Sequence, residues 1–120
     1  DFAAVNGFLN GFIDMVCLDA HQQVCLIDYK SNHLGHTAAD YCPAALDEAV
    51  AEHHYYLQAL IYAIAVARYF QARRLPVPVI HVRYLFLRGL DGSQNGIWSW
   101  EVHERDLQPW LAGNAAQTGT

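Results

Sequence analysis

Apolar and polar positions fall in blocks along this chain of 120 residues. Residues 12–18 form one apolar run, interrupted only at Asp14, and residues 24–27 form another. Between them lies the polar segment Asp19-Ala20-His21-Gln22-Gln23. Two such runs about a short polar segment predict a β-hairpin. If the turn centres on His21, partner numbers sum to 42, and Asp14 stands opposite Asp28. Opposed residues of an antiparallel pair have Cβ atoms about 4.5–5.5 Å apart. Lys30 follows two residues later and projects from the same face, about 7 Å along the strand. Two carboxylates and an ammonium therefore converge on one face of an apolar hairpin. Anions that close repel unless a cation lies between them, and a divalent metal suits their oxygen donors.

The rest of the pattern surrounds that hairpin. Residues 5–18 predict one extended strand or two short ones, interrupted at Gly7 and Gly11, where glycines inside strands mark bulges. Residues 24–30 predict a second strand; its unalternating run Val24-Cys25-Leu26-Ile27 is of the kind covered on both faces. Residues 31–42 make a polar loop. Its His33 and His36 have a ligand-pair spacing, but no cysteine or carboxylate pattern completes it, so solvated loop histidines are expected.

Residues 43–74 predict helix. Pro43 suits a first turn, Asp47, Glu48 and Glu52 lie near the start, and Arg68, Arg73 and Arg74 lie near the end. A helix of about 30 residues would run about 45 Å, so a break is expected at residues 52–54, and Pro76 and Pro78 end the segment. Residues 57–67 are apolar or aromatic except for Gln58, the signature of a helix buried on several sides. A buried glutamine needs partners or costs about 1–3 kcal/mol. Tyr62 lies on its face at i+4, with Tyr55 one turn earlier. The pattern alone leaves Gln58 open between a satisfied core glutamine and a site residue.

Residues 79–87 predict a third strand, making a βαβ crossover that should be parallel and right-handed. Residues 96–102 read as a short strand or edge, and residues 104–111 as a short helix that packs Trp110 on the body. Residues 1–112 make one domain, and 113–120 a disordered tail.

Composition changes this picture in three ways. Hydrophobic residues make up 53% and charged residues 16%, against a usual charged share of about 25%. That is more apolar surface than one small interior should need, so part of it should be covered by something outside this sequence. With its start at Asp1, the chain is expected to be a piece of a longer polypeptide. The net charge of −5 argues against a free-standing nucleic-acid binder held by a basic patch, though not against a site that touches nucleic acid locally. Three cysteines without a CxxC spacing argue against zinc or iron–sulfur, and Cys17 opposite Cys25 reads as a pair of buried thiols in a reducing compartment. No signal peptide and no run of about 18 apolar residues is present, so no membrane partner and a cytoplasmic location are expected.

Two carboxylates, a nearby lysine and a polar helix face suit hydrolysis with a metal-activated water. On its own, the D-x-K spacing also fits a surface ion pair. Together, Gly11-Phe12-Ile13-Asp14, then Asp28-Tyr29-Lys30-Ser31-Asn32, then Gln58-x-x-x-Tyr62 resemble the PD-(D/E)xK nuclease superfamily, and within it the RecB-type nuclease domains of exodeoxyribonucleases V. The stretches LIDYKSNHLG, AEHHYYLQALIYAIAVARY and RYLFLRG extend the likeness over residues 5–97. The resemblance implies an α/β fold with a restriction-endonuclease-like mixed sheet flanked by helices. Of its αβββαβ core, this chain is expected to hold the ββαβ portion, without the N-terminal part that supplies a further histidine or acidic ligand. The implied metal ligands are Asp14, Asp28 and the Tyr29 carbonyl, with Mg²⁺ as cofactor and Mn²⁺ an alternative. Lys30 becomes the catalytic lysine, and Gln58, Tyr62 and, less directly, Arg88 become DNA contacts. The implied activity is metal-dependent exonuclease and endonuclease cleavage of DNA in double-strand break repair and recombination. The implied partners are DNA, a helicase region of the same polypeptide and RecC- and RecD-like subunits. With two carboxylates and a carbonyl, the chain alone should hold metal weakly and could be inactive in isolation. The competing class is an inactive nuclease-like scaffold for DNA binding or subunit docking; the intact Asp14, Asp28 and Lys30 argue against it.

Overall fold

A computed structural model of the chain describes residues 2–9 and 11–111. The expected tail at 113–120 lies outside them. Four strands, β1 (Met15–Leu18), β2 (Val24–Lys30), β3 (Ile80–Phe86) and β4 (Ile97–Val102), form one sheet in the order β1-β2-β3-β4. The two outer pairs are antiparallel and the central pair β2–β3 is parallel, giving the mixed sheet that was expected. Helices α1 (Phe2–Leu9), α2 (Pro43–Glu52) and α3 (Tyr55–Ala72) accompany it, with 3₁₀ turns at Ala38–Tyr41, Leu87–Gly89 and Glu104–Trp110.

The hairpin register follows the expected sum: Met15 pairs with Ile27, Cys17 with Cys25 and Leu18 with Val24. Val24 donates its N–H to Val79 on the far side, so odd-numbered residues of β2 turn their backbone groups toward β1. By continuation, Asp14 and Asp28 occupy a non-hydrogen-bonded pair, where Cα atoms approach to about 4.5 Å and side chains come closest. The expected parallel crossover is present, with Asp28 level with Tyr84 and Lys30 level with Phe86.

Even-numbered strand positions carry the contacts to the helices: Lys30 to Gln58, Tyr84 to Tyr55, Trp98 to Asp47 and Trp100 to Tyr56. Val24, Leu26, Ile80, Val82 and Phe86 fill the core on that side. The opposite face is open: Met15, Tyr29 and Ile97 are exposed there, and Cys17 is half-buried. Coverage of β2 on both faces is therefore not what the structure shows. Cys25 is buried among strand neighbours rather than beneath a helix, and all three cysteines are free. His33 and His36 are exposed, their rings edge to face at 4.7 Å.

Two expectations need correction. Residues 5–18 are not one extended segment: α1 occupies Phe2–Leu9 and β1 begins only at Met15. The spacing Val5, Phe8, Leu9, Phe12 is helical, and the N–H groups of Phe12 and Ile13 close on the Leu9 carbonyl as the last turn ends. At the other end, Leu107 and Leu111 anchor the final turn, while Trp110 is 42% exposed. The Trp110 carbonyl accepts from Arg68 Nε and Nη2 at 3.0 and 2.7 Å.

The helix break falls where expected. His54 adopts a left-handed conformation (φ 59°, ψ 25°), which ends α2 and starts α3 at Tyr55. Beyond Lys30, the loop is fastened by buried Tyr41, whose hydroxyl accepts from the Leu34 N–H at 3.0 Å and whose carbonyl accepts from Gly96. Gly89 lies against that ring, and a Cβ there would collide with it. Gly89→Ala is therefore expected to cost about 1–3 kcal/mol by overpacking. Gly7→Ala, in α1 with open space around it, is expected to stabilise by about 0.5–1 kcal/mol. Urea unfolding of the two variants checks both signs.

Candidate active site

The site grows from the end of the hairpin. Past Met15, β1 no longer pairs with β2, because the N–H of Ile13 is already bound to Leu9. The backbone of Tyr29, which faces β1, has lost its ladder partner. Its N–H instead donates to Asp14 Oδ2 at 2.8 Å, and its carbonyl is left without that partner's donor. The Asp14 carboxylate thus continues the ladder by other means, and this fixes it beside Asp28.

The interaction between the two neighbouring carboxyls shifts them in opposite directions. Asp14, at the rim, is held below the ordinary carboxylate range by the Asp28 hydrogen bond and the Tyr29 N–H. Asp28 is pushed up, first by burial and then by its hydrogen bond to Asp14, and Lys30 opposes the rise. One proton shared between two carboxylates is how such a pair relieves its repulsion when no cation lies between them.

Lys30 is 8% exposed, and its Nζ donates to Asp28 Oδ2 and to Gln58 Oε1, both at 2.9 Å. Gln58 Nε2 donates to the Tyr62 hydroxyl at 3.2 Å, and that hydroxyl donates to the Phe12 carbonyl at 3.0 Å. Each direction follows from the last. An ammonium has no acceptor, so the Gln58 oxygen must face it and its NH₂ must face Tyr62. The Tyr62 proton is then free for Phe12. Burial raises the Tyr62 and Tyr84 hydroxyl pKa values, which keeps both protonated. Gln58 is thus satisfied, and its partner is the lysine of the D-x-K element.

The chain matches the family model described as the PD-(D/E)XK nuclease superfamily over residues 2–116. It belongs to that superfamily. It is also 40% identical over 106 residues to the RecBCD enzyme subunit RecB of Escherichia coli, covering 82% of this chain and 9% of the relative. The corresponding subunit of Mycobacterium tuberculosis is 38% identical over 108 residues, 80% of this chain and 10% of that protein. That of Haemophilus influenzae is 40% identical over 105 residues, 81% and 8%. The chain thus spans about a tenth of the length of these curated relatives.

In this nuclease domain, six of the seven residues singled out from sequence meet in one place: Asp14, Asp28, Tyr29, Lys30, Gln58 and Tyr62. Tyr29 joins through its backbone, its ring being 43% exposed. Arg88 stands one step away, its Nε donating at 2.8 Å to the carbonyl of Ser31, the residue after Lys30. Tyr84 escaped the sequence reading, and Tyr55 entered it only as a neighbour of Gln58 on the helix. The Tyr84 hydroxyl donates to the Tyr55 carbonyl at 2.7 Å and lies 3.1 Å from Gln58 Oε1, and both rings lie against Lys30 Nζ. The alternation Ile80, Val82, Tyr84, Phe86 put Tyr84 on the buried face; its level with Asp28 needed the strand register.

Among the described residues no group of three or more His, Cys, Asp or Glu side chains could hold a metal ion. The available donors are the two carboxylates and the open Tyr29 carbonyl, all hard oxygens, and they fit a small divalent cation. Asp14→Asn keeps an acceptor for the Tyr29 N–H while removing the charge beside Asp28. The Asp28 pKa, followed by carboxyl ¹³C NMR, is expected to fall in that variant, leaving burial opposed by Lys30. An unmoved titration would sink the shared-proton account.

Proposed function

We propose that this domain is a metal-dependent deoxyribonuclease that hydrolyses phosphodiester bonds, exonucleolytically and endonucleolytically, as part of a helicase–nuclease of the exodeoxyribonuclease V type. The observation that carries the reading is the chain Asp28–Lys30–Gln58–Tyr62, with Asp14 opposite Asp28 at its rim, which draws residues from the hairpin and α3 into one directional network. Scaffold surfaces have no use for two carboxylates and a buried ammonium at contact distance.

Asp14, Asp28 and the Tyr29 carbonyl would hold Mg²⁺, with Mn²⁺ a competent substitute. When bound, a divalent ion makes a coordinated water more acidic and offsets charge on the phosphoryl oxygens. The remaining work belongs to the chain. Asp28 fixes the Lys30 ammonium at 2.9 Å, and Lys30 orients the attacking water and stabilises charge that develops on the phosphate. Gln58 holds Lys30 from the helix side, Tyr62 holds Gln58, and both face the DNA. Arg88, anchored through Nε, offers its remaining guanidinium N–H groups to a neighbouring phosphate.

The relatives are named as RecB subunits of RecBCD enzymes. From this we propose DNA as substrate, a helicase region in the same polypeptide, RecC- and RecD-like companions, and a cytoplasmic role in double-strand break repair and recombination. Among the described residues no helix is long and apolar enough to cross a membrane. The second reading, an inactive nuclease-like scaffold, draws on one observation: among the described residues only two acidic side chains converge.

Calorimetric titration with Mn²⁺ separates the two. Binding is expected in the wild type and absent in Asp14→Asn; no binding in either favours the scaffold. Because Asp28 must give up its proton to ligate, and its pKa is raised, affinity should weaken as pH falls toward that raised value. Binding that releases no proton would contradict this. In the full-length protein, Asp28→Ala is expected to abolish metal-dependent cleavage of linear DNA while leaving DNA binding largely in place; loss of both would mark a folding defect.

A further inference from the structure

Lys30 Nζ has two oxygen partners, Asp28 and Gln58, and two aromatic ones. It lies 4.0 Å from the centroid of the Tyr55 ring and 4.6 Å from that of Tyr84. Neither ring is free to drift. Tyr84 stacks on Trp98 at 5.3 Å and 19°, and Trp98 Nε1 donates to Asp47 of α2 at 3.0 Å. Tyr55 stacks on His53 at 5.4 Å and 25°, and its hydroxyl donates to Asn32 Oδ1 at 3.0 Å. The Tyr84 hydroxyl, bonded to the Tyr55 carbonyl, ties the two columns together.

The geometry points to Tyr55 and Tyr84 as positioning residues for Lys30: an aromatic cage that holds the ammonium in place while reserving one of its N–H groups for the reacting phosphate or water. The assignment rests on the nuclease reading above. An ammonium has three N–H donors. Two end on oxygens, and no described residue offers a third oxygen. Aromatic faces attract a cation through their quadrupole without taking a proton or competing as strong acceptors. Replacing either ring by a carboxylate or amide would satisfy the third N–H internally and withdraw it from substrate. Replacing either by an aliphatic side chain would leave the cation with two oxygen partners and a looser position. A buried lysine with rings on two sides and oxygens on the others is confined to one place, and that place is beside Asp28.

Lys30 is the sole lysine of the chain, so ¹³C-lysine labelling yields a single ε-CH₂ signal. Ring currents from Tyr55 and Tyr84 should move that signal away from its solvent-exposed position. Tyr55→Leu and Tyr84→Leu are expected to return it toward that position, and Tyr55→Phe and Tyr84→Phe to keep it displaced. In the full-length protein, with Mn²⁺ and single-turnover cleavage, each Leu variant should lose about tenfold in kcat, about 1.4 kcal/mol, with KM within about twofold. The Phe variants should recover most of that loss. A purely structural role would lower thermal stability in the Leu variants without this kcat-specific, ring-dependent pattern. Leu variants that keep wild-type kcat, beside an inactive Lys30→Gln, would overturn the cage. Wild-type cleavage by Lys30→Gln would overturn the nuclease reading beneath it.

Discussion

A buried ammonium is the constraint that the rest of this structure answers to. Taking Lys30 out of water is unfavourable by several kcal/mol in general unless its charge is paired and its donors are satisfied. The fold meets that need from three directions. The hairpin supplies Asp28, α3 supplies Gln58, and β3 with the start of α3 supplies two aromatic faces. None of these lies near Lys30 in sequence except Asp28. The parallel β2–β3 register, the helix break at His54 and the direction of α3 are thereby coupled to one side chain.

That coupling explains why local rules bend here. His54 accepts a left-handed backbone, which costs a non-glycine residue on the order of 1 kcal/mol. The break places Tyr55 in the first turn of α3, against the lysine, and Gln58 one turn further along. The ladder between β1 and β2 stops one pair early, which removes a backbone hydrogen bond from Tyr29 but frees a carbonyl and aligns a carboxylate. Both departures from ideal geometry fall within two residues of the site. Left-handed residues also occur away from it, at Gln22 in the hairpin turn and at Arg74 just past α3.

The hairpin, its register, the crossover and the helix break were legible because each rests on local information. Polar punctuation between apolar runs fixes a hairpin, and the symmetry of its turn fixes which residues face each other. The start of the segment 5–18 was not, because Val5, Phe8, Leu9 and Phe12 satisfy a helical spacing inside a run apolar enough to pass for a strand. The cage was hidden for a different reason. Tyr55 and Tyr84 are 29 positions apart, and their meeting at Lys30 depends on a parallel register that no turn dictates. Trp110 shows the limit of burial arguments from residue type: Leu107 and Leu111 took the buried positions, and the indole stayed out.

The carboxylate pair sets stability and function against each other. Asp28 has a folded pKa above its ordinary value, so its contribution to folding is fullest at low pH and is lost as pH rises through that raised value. Asp14 has the opposite sign: its contribution is present above the ordinary carboxylate pKa and fades as pH falls. Near neutral pH, the unfilled site therefore bears a repulsion at Asp28 that Lys30 only partly offsets. A divalent ion held by the two carboxylates, as proposed, would remove it, so that ligand binding and folding stability would rise together. The same reasoning predicts that Asp28→Asn, which removes the repulsion but leaves an oxygen for Lys30, changes metal-free stability by little or in the favourable direction while removing metal binding. Thermal denaturation with and without Mn²⁺ reads both effects in one experiment: the wild type should gain stability with the ion and the variant should not. A large loss of metal-free stability in Asp28→Asn would mean that the ion pair with Lys30 outweighs the repulsion from Asp14, and that the pair is built first to hold the lysine.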